Sequence, residues 1–205
     1  NARIPDPNFS WKKLAGKKVL VDHGGQPLAM FKYACHREGL KFSEIEAIDA
    51  GSTDEMEKAY KGGEGDYIHL QGPAPQQLEK DGFGSVVASV GKAVGVCAFS
   101  SLAATPDWLK SNAARRFMRA YRDARELLLN SPPSEIARIE KDFFPNIDVD
   151  VLTETIGFYQ GLGCWTPHLE ITQEAFEGAL DVFLHAGIIT KRHGFKLAVS
   201  APPAV

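Results

Sequence analysis

The chain has 205 residues, 44% hydrophobic and 24% charged, with a formal net charge of −3 at pH 7. That length suits one large domain or two small lobes, and the slight acidity gives no reason to expect nucleic acid or an anionic membrane as a partner. No apolar run approaches the ~20 residues of a membrane span. Cys35, Cys97 and Cys164 form neither a CxxC nor a zinc pattern, so no metal or cofactor is expected. All three sit among apolar neighbours, which predicts buried free thiols.

Residues 1–13 are rich in proline and read as an extended connector arriving from an upstream segment. Residues 17–21 carry Val and Leu in a strand-like run and lead into Asp22-His-Gly-Gly-Gln-Pro27. Gly24 and Gly25 can take positive φ there, and Pro27 suits the first position of a helix that closes at Gly39. The free amides at such a helix start carry about half a positive charge and can cradle an anion. The same pattern is also that of an ordinary strand-to-helix turn at a sheet edge. A second strand over 45–49 follows, and Ser52 or Thr53 caps a helix through Tyr60. A third strand over 66–70 runs into Gln71-Gly-Pro-Ala-Pro75, a second glycine-proline turn into a helix. A fourth strand is expected over 85–90. The alternation predicts an α/β lobe over 14–93, with a mostly parallel sheet and helices on its faces.

From residue 94 to 205 the pattern changes. Residues 96–101 read as a further strand, and Thr105 caps a helix expected to run to about residue 129. Helices then follow to about residue 144, over 148–162 and over 172–186, with a short edge strand over 195–199. These helices are one-sided, and the residues after Ser101 supply almost no sheet to cover them. Their apolar faces therefore predict packing on the first half or on material outside this sequence, and for these residues alone self-association through the helical half or a rearrangement that covers those faces.

No GxSxG, HExxH, Walker loop or strand-borne GxGxxG is present, so no enzyme is expected. His23 and His69 lie at the carboxyl ends of the first and third strands, where open α/β sheets bind ligands. Either can donate to a bound anion, or be a surface or locally bonded histidine, and the His69 side chain can instead face a helix layer. The two turns, with Ser100 and Ser101 at the end of the later strand, make a set of backbone donors and neutral side chains. That set suits binding more than turnover. Trp165 reads as part of a structured turn, with ligand stacking as the alternative.

Taken in order, several segments resemble a known family. Phe9-Ser-Trp-Lys-Lys-Leu-Ala-Gly-Lys-Lys-Val19 followed by Gly24-Gly-Gln-Pro27 looks like the entry to the second lobe of a type II periplasmic binding protein. Gly63-Glu-Gly-Asp-Tyr-Ile-His-Leu-Gln-Gly-Pro73, residues 89–101 and Leu180-Asp-Val-Phe-Leu-His-Ala-Gly-Ile-Ile189 are similar to later segments of the same family. It is the sulfonate, taurine, nitrate and thiamine-precursor binding family of ABC importers. The resemblance implies two lobes joined by crossover strands, a small organic ion of sulfonate, carboxylate or pyrimidine type in the cleft, and no catalysis. It also implies an ABC permease as partner and a periplasmic or extracytoplasmic location. A cytoplasmic sensor on the same fold is the alternative. Gly24, Gly25, Gln26 and Pro27 match the family's first binding turn in this lobe, with His23 adjacent. Gln71, Gly72 and Pro73 match the second, and Ser100 and Ser101 lie at the crossover facing the cleft. Family members carry further residues ahead of the segment that Arg3 begins, and those build the sheet of the first lobe.

Overall fold

Branched side chains favour a pleated, buried surface, and the run Lys18–Val21 forms strand β1 with Val19, Leu20 and Val21 all buried. The computed structural model describes residues 1–204. β1 is the middle strand of a three-stranded sheet, between β2 (Glu46–Asp49) and β3 (Tyr67–Ile68). Both pairings are parallel, running from Lys18 opposite Glu46 to Val21 opposite Asp49, and with Leu20 opposite Ile68. Parallel neighbours need crossovers. Helix α1 (Gly25–Arg37) joins β1 to β2, and α2 (Thr53–Lys61) joins β2 to β3. Ser52 caps α2: its hydroxyl accepts from the Glu55 amide, and the Glu55 carboxylate accepts from the Ser52 amide.

Alternation along β1 divides the core into two layers. Val19 and Val21 face α1 and pack with Phe31, Cys35, Leu40 and Ile45. Leu20 faces the other way, against Met56 and Tyr60 of α2 and Leu78 of α3 (Ala74–Lys80). Each fully buried side chain of this size contributes about 1.5–3 kcal/mol. This is the three-layer α/β arrangement that the alternating pattern implied.

The expected fourth strand does not form. Ser85 makes one antiparallel bridge to Ala2, which also bridges Tyr67, so the N-terminal residues already occupy the edge of β3. The chain turns instead into α4 (Val90–Val94). Residues 96–101 are also not a strand, since no neighbouring strand offers them a ladder. Val96, Phe99 and Leu102 are left exposed.

The long helix expected after Thr105 is two helices. Thr105 caps α5 (Pro106–Leu109), and the Ser111 hydroxyl accepts from the Ala114 amide to start α6 (Asn112–Asn130) afresh. A serine at that point offers the backbone a cap in place of another helical turn. Helices α7 (Pro133–Glu140) and α8 (Val149–Leu162) pack together through Ile136, Ala137, Leu152 and Ile156. Helix α9 (Gln173–His185) packs on α1 through Val182, Phe183, Ala29 and Ala34. The tail forms α10 (Phe195–Ala198), a single helical turn instead of the edge strand expected there. Cys35 is buried and Cys97 half-buried. Cys164 is exposed, contrary to expectation, because it follows the left-handed Gly163 that ends α8.

Candidate ligand-binding site

The carboxyl ends of β1 and β3 lie side by side in the sheet, so the turns that follow them share one edge. In the first turn the Asp22 carboxylate accepts from the Gly24 amide at 3.4 Å. Gly25 has φ of 67°, a left-handed conformation that glycine adopts without steric cost, and it opens α1. That helix runs 13 residues, long enough to present a partial positive charge at its start. His23 is exposed, and its Nδ1 lies 2.7 Å from Asp49 Oδ2 at the end of β2. The Gly51 amide, followed by His23, holds the Asp49 carboxyl below its ordinary range. The Ser52 amide and hydroxyl do the same for Glu55, which also feels His23. The first turn therefore combines one exposed imidazole, a helix start, and the carboxylates of Asp22, Asp49 and Glu55.

The Gln26 side chain donates to the Ala98 carbonyl at 3.3 Å, and the Ala98 amide donates to the Ala175 carbonyl of α9 at 2.8 Å. This ties the segment carrying Ser100 and Ser101 to the first turn. Both serines are exposed and make no hydrogen bond among the described residues. A hollow of about 140 Å³ opens beside Gly25, lined by Leu28, Lys32, Ala186 and Ile188 among others. A larger groove of about 490 Å³, lined by Phe9, Trp11, Lys12, Glu38, Ser89 and Lys92 among others, includes no residue of either turn.

The second turn is different. Gln71 is exposed, but Gly72 is covered by α8, and its amide donates to the Tyr159 hydroxyl at 3.3 Å. A Cβ at Gly72 would lie 2.9 Å from that oxygen and 3.1 Å from Thr155 Cγ2, so a larger residue there has to displace Tyr159 or Thr155. Pro73 precedes α3 and is half-buried. Trp165 stands next to Tyr159, with ring centroids 5.8 Å apart. The sequence places Tyr159 among packing aromatics. Its nearest signal is the position six residues before Trp165 on the last turns of a helix.

His69 is not a surface group. It stacks on Phe31 at 5.0 Å, its Nδ1 has no partner, and burial pushes its pKa down to about 4. It is a half-buried side chain, neutral at neutral pH. Burial raises the thiol pKa values of Cys35 to about 12 and Cys97 to about 11, opposite to the shift a nucleophile needs. Among the described residues no cluster of three His, Cys, Asp or Glu side chains could hold a metal ion, and no helix is long and apolar enough to cross a membrane.

A family model described as NMT1/THI5 like matches residues 8–135. The chain belongs to the NMT1/THI5-like family. The match spans the sheet, both turns and the two serines, and it ends before Tyr159 and Trp165. Over 180 residues the chain is 27% identical to a protein of Bacillus subtilis (strain 168) named "Putative binding protein YtlA". The alignment takes in 86% of this chain and 54% of that protein, so the chain spans about half the length of its relative. As the resemblance implied, the α/β architecture with its small parallel sheet is that of an NMT1/THI5-like, periplasmic-binding-protein-like fold.

Proposed function

We propose that this chain is part of a solute-binding protein that holds a small organic ligand at the carboxyl ends of β1 and β3. His23, Gly24, Gly25, Gln26 and Pro27 form one wall, Gln71, Gly72 and Pro73 a second, and Ser100 and Ser101 approach from the segment pinned at Ala98. The observation that carries this reading is the pair of glycine-proline turns after two neighbouring parallel strands, each opening a helix. Family membership and the name of the Bacillus relative support it.

The charge around the first turn narrows the ligand. Asp22, Asp49 and Glu55 surround it, and the exposed His23 is paired to one of them. Like charges at close range are unfavourable, so a pyrimidine-type ring with N–H donors suits this turn better than a sulfonate or carboxylate. An ABC permease as partner and work outside the cytoplasm follow from the same reading. The rest of the protein then covers apolar residues such as Val96, Phe99, Leu102, Trp108 and Phe117, all at least one-third exposed in this chain. On this reading the 205 residues by themselves self-associate through those exposed apolar residues.

Calorimetry of the whole protein against 4-aminopyrimidine, an alkylsulfonate and a short-chain carboxylate tests the assignment. The expected result is a dissociation constant for the pyrimidine at least tenfold below the other two. Tighter binding of the sulfonate or carboxylate, or no binding of any of the three, contradicts it.

A further inference from the structure

Helix α9 holds the segment that carries Ser100 and Ser101, and a glycine in that helix lets the segment approach. Gly178 lies inside α9, where glycine weakens a helix relative to alanine. What crosses it accounts for the choice. A Cβ at Gly178 would overlap the Val96 carbonyl oxygen and lie 3.5 Å from Cys97 Cα. These neighbours are backbone, so they cannot swing aside as the end of a side chain can.

The contact leads directly to the first turn. About one turn before Gly178, the Ala175 carbonyl accepts from the Ala98 amide at 2.8 Å. On its other side, the Ala98 carbonyl accepts from the Gln26 side chain at 3.3 Å. Both backbone groups of Ala98 are thus spent on bridging α9 to the start of α1. Val94 and Cys97 pack with Val182 of α9 and anchor the same segment from behind. Beyond Ala98 the chain is loose: Phe99, Ser100, Ser101 and Leu102 are exposed, and residues 99–104 make no hydrogen bond among the described residues. The two ties at Ala98 therefore decide where the serines stand.

We propose that Gly178 is a positioning residue of the binding site: by letting the backbone of Val96 and Cys97 lie directly on α9, it sets Ala98 against Gln26 and brings Ser100 and Ser101 to a ligand held at the first turn. This rests on the binding function proposed above and adds a determinant from a helix beyond residue 135, where the family match ends. A segment already fixed before binding loses little freedom when the ligand arrives.

Two substitutions in the whole protein test it, each adding the same methyl group to a helix. In Gly178→Ala the segment has to lift off α9 while the helix gains propensity, so the unfolding midpoint should stay close to wild type. The Ala98 amide, followed by NMR, should then exchange its hydrogen about tenfold faster, and calorimetry should show 4-aminopyrimidine bound about tenfold more weakly, the size of one neutral hydrogen bond. Gly161→Ala in α8, where an added Cβ meets nothing within 4 Å, should change neither quantity. Wild-type affinity in a folded Gly178→Ala, or an equal loss in Gly161→Ala, overturns the role of Gly178 and leaves the binding function standing. If Gly178→Ala does not fold, the wild type still decides: its Ala98 amide should be protected, and saturating 4-aminopyrimidine should slow its exchange further. Binding without that slowing overturns the role of the segment alone. Failure of the wild type to bind 4-aminopyrimidine overturns both.

Discussion

The sheet half of the molecule and the helical half bury their apolar residues by different means. In the first, every strand residue of β1 after Lys18 is buried, and α1, α2 and α3 close both faces of the sheet. In the second, α7 and α8 close on each other and α9 borrows a surface from α1, but α5, α6 and residues 96–104 find little to cover them. Phe117 of α6 is 45% exposed and Leu102 58% exposed, against 0% for Leu20. A sheet with crossover helices carries its own core, whereas one-sided helices need a partner surface.

The same substitution in both halves should break the symmetry most sharply. Leu20→Ala removes a side chain enclosed by Met56, Tyr60, Ile68 and Leu78, and should cost about 2–5 kcal/mol. Leu102→Ala should cost less than about 0.5 kcal/mol, as exposed substitutions usually do. Urea unfolding followed by circular dichroism measures both. Comparable losses would show that residues 96–104 are packed as tightly as the sheet.

Acid should act on the sheet half through His69. Its folded pKa of about 4 lies below the ordinary 6.5, so the unfolded chain binds a proton that the folded chain refuses. The contribution is therefore complete above pH 6.5 and is lost as pH falls from 6.5 toward 4, up to about 3 kcal/mol. His69→Phe should flatten this part of the pH profile of unfolding. An unchanged slope would show that His69 is hydrated or paired in solution.

The smallest stability effect belongs to the open face. Phe117→Ser should change stability by less than about 0.5 kcal/mol, yet lower the binding of an apolar dye and reduce light scattering at high concentration. Unchanged dye binding would mean that the open surface lies elsewhere.

What could be read from the residues alone follows this division. The three parallel strands, their crossover helices and the Ser52 cap are local signals, carried by Val-Leu runs, glycine and proline punctuation and a capping serine. The strands expected over 85–90 and 96–101 failed because a strand exists only if a neighbour pairs with it, and Ala2 holds the edge of β3. The helix break at Ser111 was also local, but was outweighed by the apolar positions on either side. The first candidate turn is recognisable in sequence from Gly24-Gly-Gln-Pro27. The contact of Tyr159 with Gly72 is not, since it joins residues 87 positions apart.

The central claim is that the first turn faces a ligand. Gly24 tests it more cleanly than Gly25. Gly25 has φ of 67°, so a branched side chain there strains the backbone, about 1–3 kcal/mol. Gly24 is extended, and a Cβ added to it meets nothing within 4 Å. Gly24→Val should therefore leave the unfolding midpoint of the whole protein close to wild type while filling the space in which the ligand rests. Calorimetry with the tightest-binding ligand should show affinity reduced at least tenfold in a variant that is fully folded. Wild-type affinity in that variant would contradict the placement of the ligand at this turn.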